Sequence, residues 1–303
     1  MFTGTTEREK PNLADCSQQR IHMPRKSYTY ALNTSTIRGC GKLSLVDMIG
    51  IASQAGYDAI EPWIEEIDVW TNSGQSLMQL SSLVSEHGLR IVNIIGFPTW
   101  SVHDDQKRKE GFIEARRCFT IAQELSCPYV AAPPIGIHQT PNVNLFDVAD
   151  RYAALIDLAE DYKVIPILEF WGISQTLRTL GEALLVSSQA NRTQACILAD
   201  IFHMYRGSGH FGGLEQLGPE AIRILHVNDY PANPIRTDLL DSDRVYPGDG
   251  VAPYNEIFRQ LNTTGFSGIL SLELFNSEYW KQNPLTVATT GLKKLKSLVS
   301  NLC

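Results

Sequence analysis

A closed barrel of eight parallel strands, each followed by a helix, is the fold this sequence predicts, and three observations predict it. Amphipathic segments with helical spacing alternate with short apolar runs from about residue 28 to the C-terminus. The runs are continuously apolar, the pattern of strands covered on both faces. No GxGxxG turn follows the first of them, which disfavours an open dinucleotide-binding sheet. Strand–helix alternation implies parallel strands with right-handed crossovers. Eight such units at spacings of roughly 30–40 residues favour closure into an α/β, (β/α)8 barrel as a single domain. A chain of 303 residues accommodates that domain over 27–303, with 1–26, which lack periodicity, as a loose N-terminal arm.

Each element has its own signal. YTYALNTS (28–35) is the expected first strand. The helix at 45–55 is capped by Ser44, with Asp47 in the capping-box position, and stops at Gly56. YDAIEPW (57–63) follows as a strand. The helix at 76–87 ends at Gly88 before LRIVNIIGF (89–97), and a long helix at about 106–125 precedes PYVAAPP (128–134). Helix 145–162 leads to VIPILEFWG (164–172), and helix 176–190 to ACILADIFH (195–203). A short helix near 217–222 precedes RILHVNDYP (223–231). Helix 254–263, stopped by Gly265, leads to GILSLELFN (268–276), and helix 284–300 closes the chain. The segment 229–252, rich in Asp and Pro, reads as a lid or partner-contacting loop.

Composition narrows the function. With 43% hydrophobic and 19% charged residues the chain reads as an ordinary globular protein. A net charge of −7 argues against a duplex-DNA partner, which requires a field of the opposite sign. No apolar run approaches the roughly 20 residues of a membrane span, and no secretory signal is visible, so a cytoplasmic enzyme is expected. The six cysteines (Cys16, Cys40, Cys118, Cys127, Cys196, Cys303) are scattered without a CxxC pair. They read as small apolar side chains in a reducing compartment.

In such a barrel chemistry sits where strands end and βα-loops begin. The last four strands end in Glu169, Asp200, His226 and Glu273, each after an apolar stretch: IPILE, CILAD, RILH and ILSLE. Three carboxylates at the ends of buried strands are costly without a counter-charge. One divalent cation removes that cost, and three acidic groups with one imidazole form a hard oxygen/nitrogen donor set. His203, three residues after Asp200 and expected in the loop beyond the strand, is placed to bond a substrate oxygen. Arg244, before the PGDG turn, is expected to swing over the mouth to hold a hydroxyl or phosphate. Glu61, at the end of the second strand, is a candidate to bond a sugar hydroxyl or brace a ligand. Trp63, Phe97, Trp100 and Trp171 form a candidate apolar wall against the carbon face of a sugar. Asn33 and Asn228 are candidate polar lining, whereas His22 and His210 look incidental.

These motifs resemble the xylose-isomerase-like sugar phosphate isomerase/epimerase superfamily, which includes inosose isomerases and ketose 3-epimerases. The matching residues are LEF with Glu169, DIFH with Asp200 and His203, HVND with His226, RVYPGDG with Arg244, and SLELF with Glu273. The resemblance implies that Glu169, Asp200, His226 and Glu273 bind one Mn²⁺, Zn²⁺, Mg²⁺ or Co²⁺, and that the two glutamates also move the substrate proton. The implied reaction isomerises or epimerises a small polyhydroxy ketone, sugar or cyclitol, through a metal-stabilised enediolate, in a protein that is commonly a homodimer. Proton removal beside a carbonyl needs a Lewis acid and a general base, which is what this donor set offers. Ketose 3-epimerases carry a further glutamate six residues after the metal-binding glutamate of the fifth strand; here that place is Gln175, so their substrate does not carry over directly. No phosphate-binding glycine loop is evident beyond PGDG, which leans towards an unphosphorylated substrate.

Three rival readings keep the barrel. A dehydroshikimate-type dehydratase needs the same metal and base and ends in a similar SLELFN strand. An AP-endonuclease-like repair enzyme needs three zinc ions and further ligands, but here the third and fourth strands end in IIGFP and AAPPIG, which offer none. A non-catalytic sugar-binding protein has no need of two carboxylates aimed into one pocket.

Overall fold

The computed structural model describes residues 28–302, so the expected arm, Cys16, His22 and Cys303 lie outside the described residues. Eight parallel strands follow one another in hydrogen-bonded order β3-β2-β1-β8-β7-β6-β5-β4. They are β1 (Thr29–Asn33), β2 (Ala59–Glu61), β3 (Arg90–Ile91), β4 (Tyr129–Ala132), β5 (Ile165–Glu169), β6 (Ile197–Asp200), β7 (Ile222–Val227) and β8 (Ile269–Leu272). The ring closes just beyond β3, where an isolated parallel bridge joins Ile94 to Val130. There Ile94 N donates to the Tyr129 carbonyl and Ala131 N to the Ile94 carbonyl. The predicted third strand is therefore shorter than 89–97: only two of its residues pair regularly, and the remainder turns toward the mouth.

The helices that cover the ring are α1 (Leu45–Ala55), α2 (Ile64–Asn72), α3 (Leu77–Glu86), α4 (Asp105–Glu124), α5 (Leu145–Glu160), α6 (Leu180–Gln189), α7 (Ile201–Ser208), α8 (Tyr254–Thr264), α9 (Ser277–Trp280) and α10 (Pro284–Leu302). The Ser44–Asp47 capping box forms as expected, and Gly56 closes α1 at φ 89°, a left-handed conformation that glycine adopts without strain. The helix α2 is additional to the expected set. Its N3 residue Glu66 accepts from Trp63 N at 3.0 Å, the one backbone donor that starts the helix. The helix expected near 217–222 lies instead at 201–208. Asp200 is at once the last strand residue and the N-cap of α7, accepting from His203 N at 2.8 Å, so β6 passes into helix with no loop between. Only a single 3-10 turn, Leu214–Gln216, stands near the expected place.

Alternation along the strands decides what faces the barrel axis. Ile167 precedes Glu169 by two residues, as Leu198 does Asp200, Ile224 does His226, Ala31 does Asn33, and Ala59 does Glu61. Those apolar residues are buried and fall into two small clusters, one with Ile167, Leu198 and Ile224 and one with Ala31 and Ala59. The polar residue two places on then stands directly above, at the mouth. Register carries this across strands: Asn33 pairs with Glu61, and Asp200 with His226. The main apolar core, with Leu32, Leu168, Ile197, Leu225 and Leu272 on its strand side, lies between the ring and the helices. Cys118, Cys127 and Cys196 are buried free thiols and Cys40 is half-buried, as the scattered spacing implied. Among the described residues no helix is long and apolar enough to cross a membrane.

Candidate active site at the barrel mouth

Asp200, His226 and Glu273, all buried, each offer one ligand atom within 4.8 Å of the others. His226 Nδ1 lies 3.0 Å from Glu273 Oε2 and 3.7 Å from Asp200 Oδ2. Glu169 stands outside this compact set but lines the same cavity as Glu273, so the structure groups three of the four expected ligands and leaves the fourth beside them at the mouth.

The imidazole is held by a residue that the sequence placed elsewhere. Glu61 Oε2 lies 3.2 Å from His226 Nε2, while Ser271 Oγ donates to the same oxygen and Asn93 Nδ2 to the other at 3.1 Å. Glu61 is 0% exposed and does not line the cavity, so of its two expected roles it takes that of a brace, behind His226, and the expected sugar contact is corrected. Carboxylates in this position fix the orientation and basicity of metal-binding histidines. Burial opposes the charge on Glu61, but the His226 charge and bonds from His226, Ser271 and Asn93 hold its carboxyl below the usual range. Burial likewise opposes the imidazolium, and the Glu273 and Glu61 charges outweigh it and raise His226 well above its ordinary value.

Both remaining carboxylates are braced twice. Asn33 Nδ2 donates to Glu273 Oε1 at 3.0 Å, and it presents that face because its own Oδ1 accepts from Trp63 Nε1 at 3.0 Å and Ser35 N at 3.1 Å. Asn228 Nδ2 donates to Asp200 Oδ2 at 3.0 Å, and its Oδ1 accepts from Phe202 N at 2.9 Å. The two asparagines, expected as lining, thus orient the acids. Ser271, two residues before Glu273 on the inward face of β8, was legible from alternation; Asn93 was not, because its strand is irregular.

Arg244 does not swing over the mouth as expected; it reaches down into it. Its side chain is 1% exposed, and Nη1 donates at 2.8 Å to both Asp200 Oδ2 and Glu273 Oε2. Nη2 lies 2.5 Å from Asp241 Oδ1 and 3.2 Å from His203 Nε2. The guanidinium is flanked by the Phe202 and Phe275 rings, 4.7 and 5.2 Å from their centroids. Burial opposes its charge, yet Asp200, Asp241 and Glu273 raise its pKa above the ordinary arginine value. Asp200 in turn, despite burial, is drawn down to about 2 by Arg244, His203 and His226. His203, expected in a loop, is in the first turn of α7 and lines the cavity; burial lowers its pKa, against Asp200.

Glu169 differs from all of these. Burial first, then the Glu273 charge, push its carboxyl up to about 8, with the His226 charge and a bond from Trp171 only partly offsetting them. It faces a cavity of about 220 Å³ lined also by Trp63, Ile95, Phe97, Trp171, Ile173, His203, Asp241, Arg244, Glu273 and Phe275. The expected wall of Trp63, Phe97 and Trp171 is therefore assembled, with ring centroids 5.2 and 6.3 Å apart along it, and Phe275 extends it. Trp100 is excluded from it: the ring is 0% exposed, bonded to the Pro133 carbonyl and packed on Tyr152. Gly172 lets the loop carrying Trp171 lie against α7, since a Cβ there would sit 2.4 Å from the His203 carbonyl oxygen.

The donor chemistry fits a divalent cation. His226 Nδ1 is buried 3.0 Å from a Glu273 oxygen and 3.7 Å from an Asp200 oxygen with no well-directed hydrogen bond to either, while Nε2 is engaged by Glu61. An imidazole so held and two carboxylates suit Mn²⁺ or Zn²⁺ alike.

Fold and site together define a (β/α)8-barrel with an acid–imidazole cluster and an aromatic-walled cavity at its C-terminal mouth. The chain belongs to the xylose isomerase-like TIM barrel family, whose model matches residues 49–298. It is 30% identical over 201 residues to the inosose isomerase of Bacillus subtilis (strain 168), covering 65% of this chain and 72% of that one. It is 27% identical over 255 residues to the inosose isomerase of Bacillus velezensis, covering 82% and 90%. Among solved structures, that of IOLI protein with a binding zinc atom superposes with a TM-score of 0.82 at 25% identity, covering 91% of this chain and 99% of that one.

Proposed function

We propose that this protein is a divalent-metal-dependent isomerase or epimerase of a small polyhydroxy ketone, of which an inosose-type cyclitol is the first candidate. The observation that carries this is Glu169: a buried carboxyl that lines an aromatic-walled cavity together with Glu273, beside the braced Asp200–His226–Glu273 cluster. Asp200, His226 and Glu273, with Glu169 as the expected fourth ligand, would hold the cation, which would supply Lewis-acid polarisation of a carbonyl and its neighbouring hydroxyl. Glu169, at the cavity wall, takes the proton from the carbon beside the carbonyl and delivers a proton, exchangeable with solvent, to the former carbonyl carbon, while the hydroxyl proton passes to the former carbonyl oxygen, so ketone and alcohol exchange places. Glu273 holds its two oxygens against Asn33 and Arg244, which suits charge stabilisation better than proton exchange. That inequality favours transfer by a single base, as in shifting a ketone along a ring, over exchange between two faces. His203 and Arg244 line the cavity, and Arg244 sets its positive charge beside the place where negative charge develops on the substrate oxygens, while the Trp63–Phe97–Trp171 wall packs the ring carbons and excludes water. The similarity to inosose isomerases supports the substrate class.

The test is incubation of the protein and Mn²⁺ or Zn²⁺ with inososes and free ketoses in D₂O, followed by NMR and mass. Deuterium entering beside the carbonyl with formation of an isomer is expected, and both should be lost in Glu169→Gln. A product lighter by one water would assign a dehydratase instead, and absence of exchange with every ketone would remove the proposal.

A further inference from the structure

A second charged cluster lies at the rim of the mouth, outside the cavity. Arg178 follows the loop after β5, Arg206 is on α7, and Arg236 opens a 3-10 turn between β7 and α8. All three are partly buried and meet at the C-terminal end of α7. Arg236 Nη1 donates to the Arg206 and Gly207 carbonyls at 2.7 and 3.3 Å, Arg178 Nη2 to the Gly207 carbonyl at 3.2 Å, and Arg206 Nε to the Leu239 carbonyl at 3.0 Å. Gly207 permits this approach, since a Cβ there would lie 2.1 Å from the Arg178 carbonyl oxygen.

Capping a helix end accounts for only part of this cluster. A helix C-terminus carries about half an elementary negative charge, against three guanidinium charges here. Most other described arginines, Arg117, Arg192 and Arg244 among them, pair with a carboxylate. None of these three has one within 4.0 Å among the described residues. Asp238 and Asp241 are the acids that act on Arg206 through space, and Asp241 is already engaged by Arg244. Arg178 Nε is buried with no partner at all. Burial, then the charges of Arg178 and Arg236, hold Arg206 below its ordinary value.

We propose that Arg178, Arg206 and Arg236 form an anion-binding site at the rim of the mouth, taking a phosphate or carboxylate group. Each retains unused N–H donors on a planar fork, the geometry that matches such groups. Arg206 is one helical turn after His203, on the same face of α7, and Leu239 is two residues before Asp241; both His203 and Asp241 line the cavity. The anionic group can therefore belong to a ligand seated in the cavity or to a separate small ion beside it.

The test uses inorganic phosphate at constant ionic strength, read by calorimetry and thermal unfolding, on the full chain and on Arg178→Gln, Arg236→Gln and the exposed control Lys109→Gln. Saturable binding is expected, weakened about tenfold or more in each arginine variant and unchanged in the control. Phosphate that raises KM with kcat unchanged places the bound anion on the substrate's own path into the cavity; binding with KM unchanged identifies a separate ion at the rim. No saturable binding, or binding unaltered in either arginine variant, would overturn the proposal.

Discussion

The two halves of the barrel bring polar residues to the same mouth for different ends. The strand ends of the first half supply Asn33 and Glu61, with Asn93 just beyond β3, all 0% exposed and all bonded to another side chain of the site. Those of the second half supply Glu169, Asp200, His226 and Glu273, of which the two glutamates reach the cavity. Glu61 and Glu169 are both buried carboxylates at strand ends, yet one is pulled below the usual range and the other pushed up to about 8. The difference is direct bonding: Glu61 is bonded by the imidazolium and two neutral donors, whereas at Glu169 burial and the Glu273 charge outweigh the His226 charge and one bond from Trp171. A carboxylate surrounded by donors is a brace, and one facing another carboxylate can carry a proton.

This contrast can be broken at several points. Glu169→Gln should lower turnover by about 10²–10⁴ and weaken metal affinity as well, an amide oxygen being a poorer ligand than a carboxylate; unchanged affinity in a chelator competition would remove Glu169 from the ligands. Glu61→Gln should weaken metal affinity by about 10–100-fold in a chelator competition, with a smaller loss of turnover at saturating metal. Unchanged affinity would return Glu61 to a merely structural role. Asn33→Ala leaves Glu273 Oε1 and Trp63 Nε1 without their partner, and should lower kcat about tenfold, the scale of one charge-assisted bond. Phe97→Leu, which trims the wall without touching an acid, should raise KM about threefold with kcat unchanged.

The same contrast has a pH signature in metal-free protein. Glu169 is raised when folded, so its contribution to stability is full below the ordinary carboxyl value of 4.5 and drains away as pH climbs toward 8. His226 is raised as well, so its contribution is lost as pH rises through its elevated value. Asp200, drawn down to about 2, has the opposite sign: its contribution is complete above the ordinary aspartate range and is lost only in strong acid. Thermal unfolding of metal-stripped protein should therefore show Tm falling between about pH 5 and 8. Glu169→Gln should flatten the lower part of that fall. A Tm that rises across this window would refute the assignment.

Much of this was legible in the chain and some was not, for identifiable reasons. Helix boundaries with a chemical signal, such as Ser44–Asp47 and Gly56, were predictable because caps are local. The end of β6 was not: DIFH reads as strand by its apolar content, but the Asp200 side chain caps the next helix, and that bond decides the boundary. The second half of the site was visible because each strand ends apolar–polar in one register. The first half was misread because whether a polar residue lines the cavity or stands behind it depends on its neighbours on other strands.

By itself, therefore, the sequence determined the alternation that makes the barrel, the inward face of the regular strands, and the acids and imidazole at the ends of β5 to β8. These follow from periodicities of 2 and 3.6 residues, which act locally. Only tertiary structure decided that Arg244 lies between Asp200 and Glu273, that Glu61 serves His226, and that Glu169 is the carboxyl pushed toward neutrality. Those outcomes depend on distances of about 3 Å between residues as many as 165 positions apart, as His226 and Glu61 are, and on the burial that strengthens charge interactions there.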